Sequence, residues 1–230
     1  MKKYIKNNAA MLMMAVAVMG GMTSCEEHTD EFDGSLRVGN ILLADNSVVS
    51  PQGYDADGQQ AVGVIFYCNR DTALVVSTHE LGSYAYADSL GTVGSVDSDS
   101  RTLCGAENTA ALLVSEIPTP AAEAVADFRS PMASWALPSA GELRALASML
   151  PVVENSMRMI GGEPFSDGQY VSSTQDGSSS ESEQMYYLSV AVRSGFVTST
   201  IKTTPGRVRP VLRSDNTYTF HNRWRGGYLQ

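Results

Sequence analysis

Four basic side chains toward the end of the chain, Arg193, Lys202, Arg207 and Arg209, are the residues best suited to grip an anion. Arginine presents a planar fork of donors that fits sulfate or carboxylate in bidentate fashion, and lysine adds a point charge. Arg207 and Arg209 alternate with Val208 and Val211 in a predicted strand, which puts both guanidinium groups on one face, while Arg193 and Lys202 flank the hairpin before it. Two outcomes are open. Either the four form a surface cluster for an acidic ligand, or they neutralise the protein's own acidic part, pairing with Glu181, Glu183 or the acidic N-terminal stretch.

Other chemistry is sparsely represented. His28, His79 and His221 stand with Cys68 and Cys104 at no metal-ligand spacing, so no metal site is expected. Asp55-Ala56-Asp57-Gly58 begins like a calcium loop, but no third oxygen donor follows in register and Phe66 stands where a closing glutamate is needed; the segment reads as a turn. Glu163-Pro164-Phe165 offers no oxygen at its third position for calcium-dependent sugar binding. No nucleophile elbow, phosphate loop or dinucleotide fingerprint occurs, so no cofactor is expected and no enzymatic activity is assigned.

The three cysteines divide by position. Met1 to Lys6 carries three lysines, and Ala9 to Met19 is an apolar run too short to span a bilayer, which together read as a secretory signal peptide over residues 1–24. Its end, Met22-Thr23-Ser24-Cys25, resembles a bacterial lipobox, in which small residues precede a cysteine that is acylated and becomes the new N-terminus. Cys25 is therefore the expected lipidation site, and several acyl chains give the stable membrane attachment that one chain does not. Cys68 and Cys104 remain as an even pair in an oxidising compartment. They are either bridged, or left free with Cys68 as a buried hydrophobe in an apolar strand.

Residues 25–36 are acidic and almost without apolar side chains, a solvated tether. An acidic run directly behind a lipidated cysteine is similar to the surface-export signal of Bacteroidetes-type outer-membrane lipoproteins, which implies an outer-membrane protein facing the cell exterior. Loss of Lys2, Lys3 and Lys6 with the signal takes the formal charge from -9 to -12, so nucleic acid is not an expected partner. From Arg193 onward seven basic residues face Asp215 alone, a balance of +6, which leaves -18 for residues 25–192.

The elements that must position these groups follow from periodicity. An apolar fraction of 43% over 230 residues suits a folded core, and no stretch after the signal is long and apolar enough to cross a membrane. Residues 41–49 read as a hairpin turning at Asp45-Asn46-Ser47, and Ala61 to Cys68 with Thr72 to Ser77 as a second, well-buried one. Asp88 to Arg101 reads as a loop. Helices are expected from Glu107 to Ile117, from Ala121 to Phe128 behind Thr119-Pro120, and from Ser139-Ala140-Gly141-Glu142, a capping box, with Pro151 closing that helix or starting another. Strands return at Gln169 to Ser172, Met185 to Val192, Phe196 to Ile201 and Arg207 to Leu212, with a polar loop at 174–184. Helices in the middle and strands at both ends predict an α+β domain over residues 37–214, with N- and C-terminal strands meeting in one antiparallel sheet, followed by a basic aromatic tail, residues 215–230.

Trp135-Ala136-Leu137-Pro138-Ser139-Ala140-Gly141-Glu142-Leu143, then Gly161-Gly162, then Tyr170-Val171-Ser172-Ser173-Thr174, then Arg207-Val208-Arg209-Pro210-Val211 resemble a family of uncharacterised secreted domains with W-x-L-P-x-x-x-E-L, Y-W-S-S-T and R-x-R-x-V segments. Its best-known member is the C-terminal domain of bacterial collagen-like adhesins. The resemblance covers about Trp135 to Leu212 and implies a C-type-lectin-like single domain, with Val171 in place of the family's tryptophan. Read as residues alone, Trp135 and Leu137 are core, Ser139 and Glu142 cap a helix, and Ser172 to Thr174 either bond to backbone or line a site. The resemblance implies a surface binding or adhesion module whose ligand class is a sulfated or acidic glycan. The alternative is a structural accessory of a fimbrial or glycan-uptake assembly, with the tail from Tyr218 docking on a protein partner.

Overall fold

The computed structural model describes residues 36–69 and 72–215. The signal segment, Cys25, the tether up to residue 35 and the tail from residue 216 lie outside the described residues. In chain order the elements are β1 (Ile41–Leu43), β2 (Val48–Val49), a 3-10 turn at Pro51–Gly53, β3 (Ala61–Cys68), β4 (Thr72–Ser77), β5 (Gly82–Tyr84), α1 (Gly105–Leu113), α2 (Pro120–Ala126), β6 (Trp135–Ala136), α3 (Ala140–Met159), β7 (Tyr170–Gln175), α4 (Ser180–Met185), β8 (Tyr186–Ala191), β9 (Phe196–Ile201), β10 (Gly206–Val208) and β11 (Val211–Asp215).

The architecture is α+β with two sheets, not the single sheet expected. A six-stranded sheet runs β2-β1-β3-β4-β11-β6 and is antiparallel throughout; a five-stranded sheet runs β5-β10-β7-β8-β9 and is antiparallel except for one parallel contact between β10 and β7. N- and C-terminal strands do meet, since β11 lies against β4 with Val211 opposite Val76. The predicted last strand is divided because Arg209-Pro210 carries the chain from one sheet to the other. Pro210 has no N–H to continue a ladder, although its carbonyl still accepts from Ser77 at 3.0 Å.

The unbroken apolar runs of β3 and β4 are explained by burial on both faces. Val64, Phe66, Leu74 and Val76 pack against Leu143, Leu146, Leu150, Val153 and Met157 of α3. Ile65, Ala73 and Val75 point the other way, into a second core with Leu112 of α1 and Ala121, Ala122 and Val125 of α2. Each such fully buried side chain stabilises the fold by about 1.5–3 kcal/mol relative to exposure.

Helix α3 begins at the expected capping box: Ser139 Oγ accepts from the Glu142 amide at 3.2 Å, and Glu142 Oε2 accepts from the Ser139 amide at 2.9 Å. It then runs twenty residues straight through Pro151. Pro151 lies on the exposed side of the helix, where the Ala147 carbonyl it leaves unbonded can be hydrated, and the apolar stripe on the opposite side holds the two halves in line. The polar loop expected at 174–184 is shortened by β7 and by α4, a six-residue helix capped by the Ser179 hydroxyl. The loop at 88–101 forms as expected and is pinned by the buried Val93.

Candidate functional site

The four basic residues do not form a surface cluster. Lys202 is fully buried, its Nζ donating to the Gly91 carbonyl at 2.8 Å, Gln175 Oε1 at 2.5 Å and the Glu183 carbonyl at 2.7 Å, with the Tyr86 ring 5.6 Å away. Burial brings its pKa down to about 8, against the opposing pull of the Glu183 carboxylate. Arg209 is 1% exposed. Its Nη1 and Nη2 both donate to the Glu163 carbonyl at 3.1 Å, Nη2 also donates to that of Pro164 at 3.1 Å, and the guanidinium stacks 4.2 Å from the centre of the Phe165 ring. Burial lowers its pKa, with Tyr170 and nearby carboxylates opposing.

Arg193 and Arg207 reach the surface, and both are paired. Arg193 bonds Asp167 Oδ1 at 2.5 Å and lies 3.3 Å from Glu154 Oε1; Arg207 lies 3.5 Å from Glu80 Oε1. Neutralisation is thus what these cations do, through Glu80, Glu154, Asp167 and main-chain carbonyls, with the Glu183 carboxylate acting on Lys202 through space and no ion pair to Glu181 among the described residues. Because β10 ends at Val208, Arg207 and Arg209 are not on one strand face.

The motif residues build two internal braces. In the first, Tyr170 Oη donates to Glu80 Oε2 at 2.6 Å, Glu80 also faces Arg207, and the Glu80 amide donates to Glu163 Oε2 at 2.8 Å. This joins β7, the strand crossing at 207–209 and the loop after α3. Burial first, and then the bond to Glu80, raise the Tyr170 pKa. In the second, Glu142 Oε1 accepts from the Gly105 amide at 3.2 Å while Oε2 caps α3, so one carboxylate holds the N-termini of α1 and α3 together, where both helix dipoles favour it. Burial raises the pKa of Glu142 against those two amide bonds. Gly141 is needed here because a Cβ would sit 2.5 Å from the Thr102 carbonyl oxygen.

Two of the three hydroxyls singled out on β7 bond to backbone, while the buried Ser173 hydroxyl has no partner among the described residues. Ser172 Oγ donates to the Leu188 carbonyl, and Thr174 Oγ1 accepts from the Ala140 amide at 3.0 Å. Val171 is 1% exposed, so position 171 packs inward in this chain. Trp135 and Leu137 are buried, as their residue types suggest.

Cys68 and Cys104 are free thiols, so the candidate disulfide is not formed. Cys68 pairs in the ladder with Ala73 and packs on the second core. Cys104 precedes α1 with its Sγ toward the Thr102 carbonyl at 3.9 Å; burial, and then Asp97, Glu142 and their neighbours, push its pKa up to about 12. Asp55 accepts from the Asp57 amide at 3.1 Å in a turn, and no group of three or more metal-ligating side chains occurs among the described residues.

What the sequence did not single out is a groove beside α2. It lies between two edge strands, β5 of the smaller sheet and β6 of the larger, with which α2 makes contact. Two open hollows, of about 430 and 520 Å³, adjoin there and share Phe128 and Arg129. Each is within the range of roughly 300–1,000 Å³ of small-molecule sites. Trp135, Met132, Ser130 and Ser134 line the first; Tyr84, Leu81, Glu123 and Asp127 line the second.

Three features separate this groove from ordinary surface. Arg129 is exposed and has no ion-pair or hydrogen-bond partner among the described residues, in a chain with acids in excess. The Trp135 ring is 8% exposed, edge-on to Phe128 at 5.6 Å and 73°, and its buried indole N–H is without a partner among them. Ser134 has φ 68°, a left-handed conformation that costs a non-glycine residue energy and concentrates at binding sites. The available sequence signal was slight: an irregular Phe128 to Ser134 segment with proline and serines between a helix and a tryptophan. Among family models and curated proteins, none matches this chain.

Proposed function

We propose that this chain is a binding and adhesion module, held at the outer membrane by lipid on Cys25, raised on an acidic tether and facing the cell exterior. The groove at Phe128 and Arg129 carries the reading. It is concave, it presents aromatic faces beside uncommitted polar groups, and no fold role uses up Arg129, Tyr84 Oη or Asp127. Binding is the reading taken because Arg129, Tyr84 and Asp127 set donors and acceptors around the apolar surface of Phe128. A C-type-lectin-like fold is supported by the central helices, by the pairing of N- and C-terminal strands, and by the inward placement of the motif residues.

A second reading, a structural accessory of a fimbrial or glycan-uptake assembly, is favoured by β9. This edge strand has the sequence Phe196-Val-Thr-Ser-Thr-Ile201, without charge or proline, and pairs with β8 over six unbroken positions. Edge strands usually carry such protection, and a bare one suits addition of a partner's strand.

The test uses the mature chain from residue 25 with Cys25→Ser and, to leave one reporter indole, Trp224→Phe. Groove binding predicts that a captured ligand perturbs Trp135 fluorescence and is lost in Tyr84→Ala. Stoichiometric capture of a surface protein, abolished by Val197→Pro and not by Tyr84→Ala, would establish the assembly reading instead.

A further inference from the structure

We propose that the groove takes a sugar bearing a carboxylate, with the acid group in the hollow beside Trp135 and the ring hydroxyls over Glu123 and Asp127. The proposal rests on the binding reading above and adds the ligand's charge and direction.

The charges along the groove are arranged asymmetrically. In the hollow beside Trp135 the sole charged lining residue is Arg129, and the hydroxyl-bearing residues there are Ser130 and Ser134. Such a set of donors with no carboxylate suits an anion. Across Phe128 the lining changes sign, with Glu123 and Asp127 on one side of α2 and Tyr84 opposite. Glu123 gives one oxygen, Oε1, to the Thr119 amide at 3.0 Å, which leaves Oε2 free to accept; Asp127 has no side-chain partner among the described residues. Carboxylates of this kind accept from hydroxyl groups, and they repel a second anion. A ligand anionic throughout fits poorly, whereas one acid group on a polyhydroxyl ring fits both halves.

Arg129 stands at the junction, shared by both hollows, where its fork can bond a carboxylate in bidentate fashion. Phe128 is also shared and is held edge-on by Trp135, offering a fixed apolar surface for the ring's C–H face. No internal pair must be broken to release Arg129, since it has no ion-pair or hydrogen-bond partner among the described residues.

Isothermal titration at low salt with a disaccharide of one galacturonic acid and one neutral sugar, its methyl ester and a neutral disaccharide bearing one sulfate in place of the carboxylate separates the possibilities. Wild-type protein should bind the acid, and the ester at least tenfold more weakly, as expected for losing a charge-assisted bidentate bond. Arg129→Ala should weaken binding of the acid by about tenfold to a hundredfold, with Tm unchanged because the side chain is exposed and unpaired, and Arg129→Lys should recover only part of it. Equal affinity for acid and ester, equal or tighter binding of the sulfated sugar, or indifference to Arg129→Ala would overturn the proposal while leaving the groove as a binding site. Failure of Trp135 fluorescence and titration to register any saccharide would overturn the glycan-binding reading with it.

Discussion

Replacing Arg209 with alanine should be among the most damaging single changes in the domain, and replacing Arg207, two residues away, clearly milder. Arg209 supplies three hydrogen bonds at 3.1 Å to the carbonyls of Glu163 and Pro164 and a stacked contact 4.2 Å from the centre of the Phe165 ring. Its removal strands two main-chain acceptors in a part-buried site, at about 1–3 kcal/mol each, and deletes a cation–π contact of about 2 kcal/mol. Relief of the guanidinium's own desolvation offsets part of this, so a net loss of about 3–5 kcal/mol is expected. For a domain of this size that lowers Tm by roughly 6–20 °C at about 2–4 °C per kcal/mol. Arg207 is 43% exposed in its side chain, and Glu80, 8% exposed and 3.5 Å away, keeps its bond from Tyr170, so Arg207→Ala should cost about 1–2 kcal/mol. Urea unfolding of the two variants, with unchanged m values, measures both. An Arg209→Ala loss below about 1 kcal/mol, or equal losses at the two positions, would refute the assignment of Arg209 as an internal brace.

Lys202, its pKa lowered to about 8, keeps its proton to higher pH when unfolded, so between about pH 8 and the ordinary lysine value stability from this group should rise with pH. Thermal melts of wild type and Lys202→Met across that window should show the difference moving in the wild type's favour as pH increases, and a constant difference would contradict the sign. Ser139→Ala removes the acceptor for the Glu142 amide and the bond at 2.7 Å to the Thr102 carbonyl, and should cost about 1–2 kcal/mol in urea unfolding. Unreduced Cys25→Ser protein should titrate two thiols when unfolded, with Cys104 inert in the native state; no titratable thiol would mean a bridge. In cells, Cys25→Ser should abolish partitioning into detergent, and continued partitioning would remove the lipid anchor from the proposal.

Local rules were sufficient wherever a few neighbouring residues determine the outcome. Ser139 and Glu142 specify a capping box by their spacing alone, and β3, β4 and β9 follow from short β-branched and aromatic runs. Pro151 was the first place where local reading fell short, because only the packed stripe on both sides of it decides that one helix continues. The basic residues were the second. Arg207 and Arg209 look equivalent in a predicted strand, yet the change of sheet at Pro210 exposes one and buries the other against carbonyls 45 and 46 residues earlier in the chain. Lys202 meets partners up to 111 positions away, which no periodicity encodes. The groove was the least legible part: Tyr84, Phe128, Arg129 and Trp135 belong to no common spacing, and what brings them together is α2 lying between the edge strands of two sheets. Burial and long-range pairing set the fate of Lys202, Arg207 and Arg209, and both arise only once the sheets have closed on the helices.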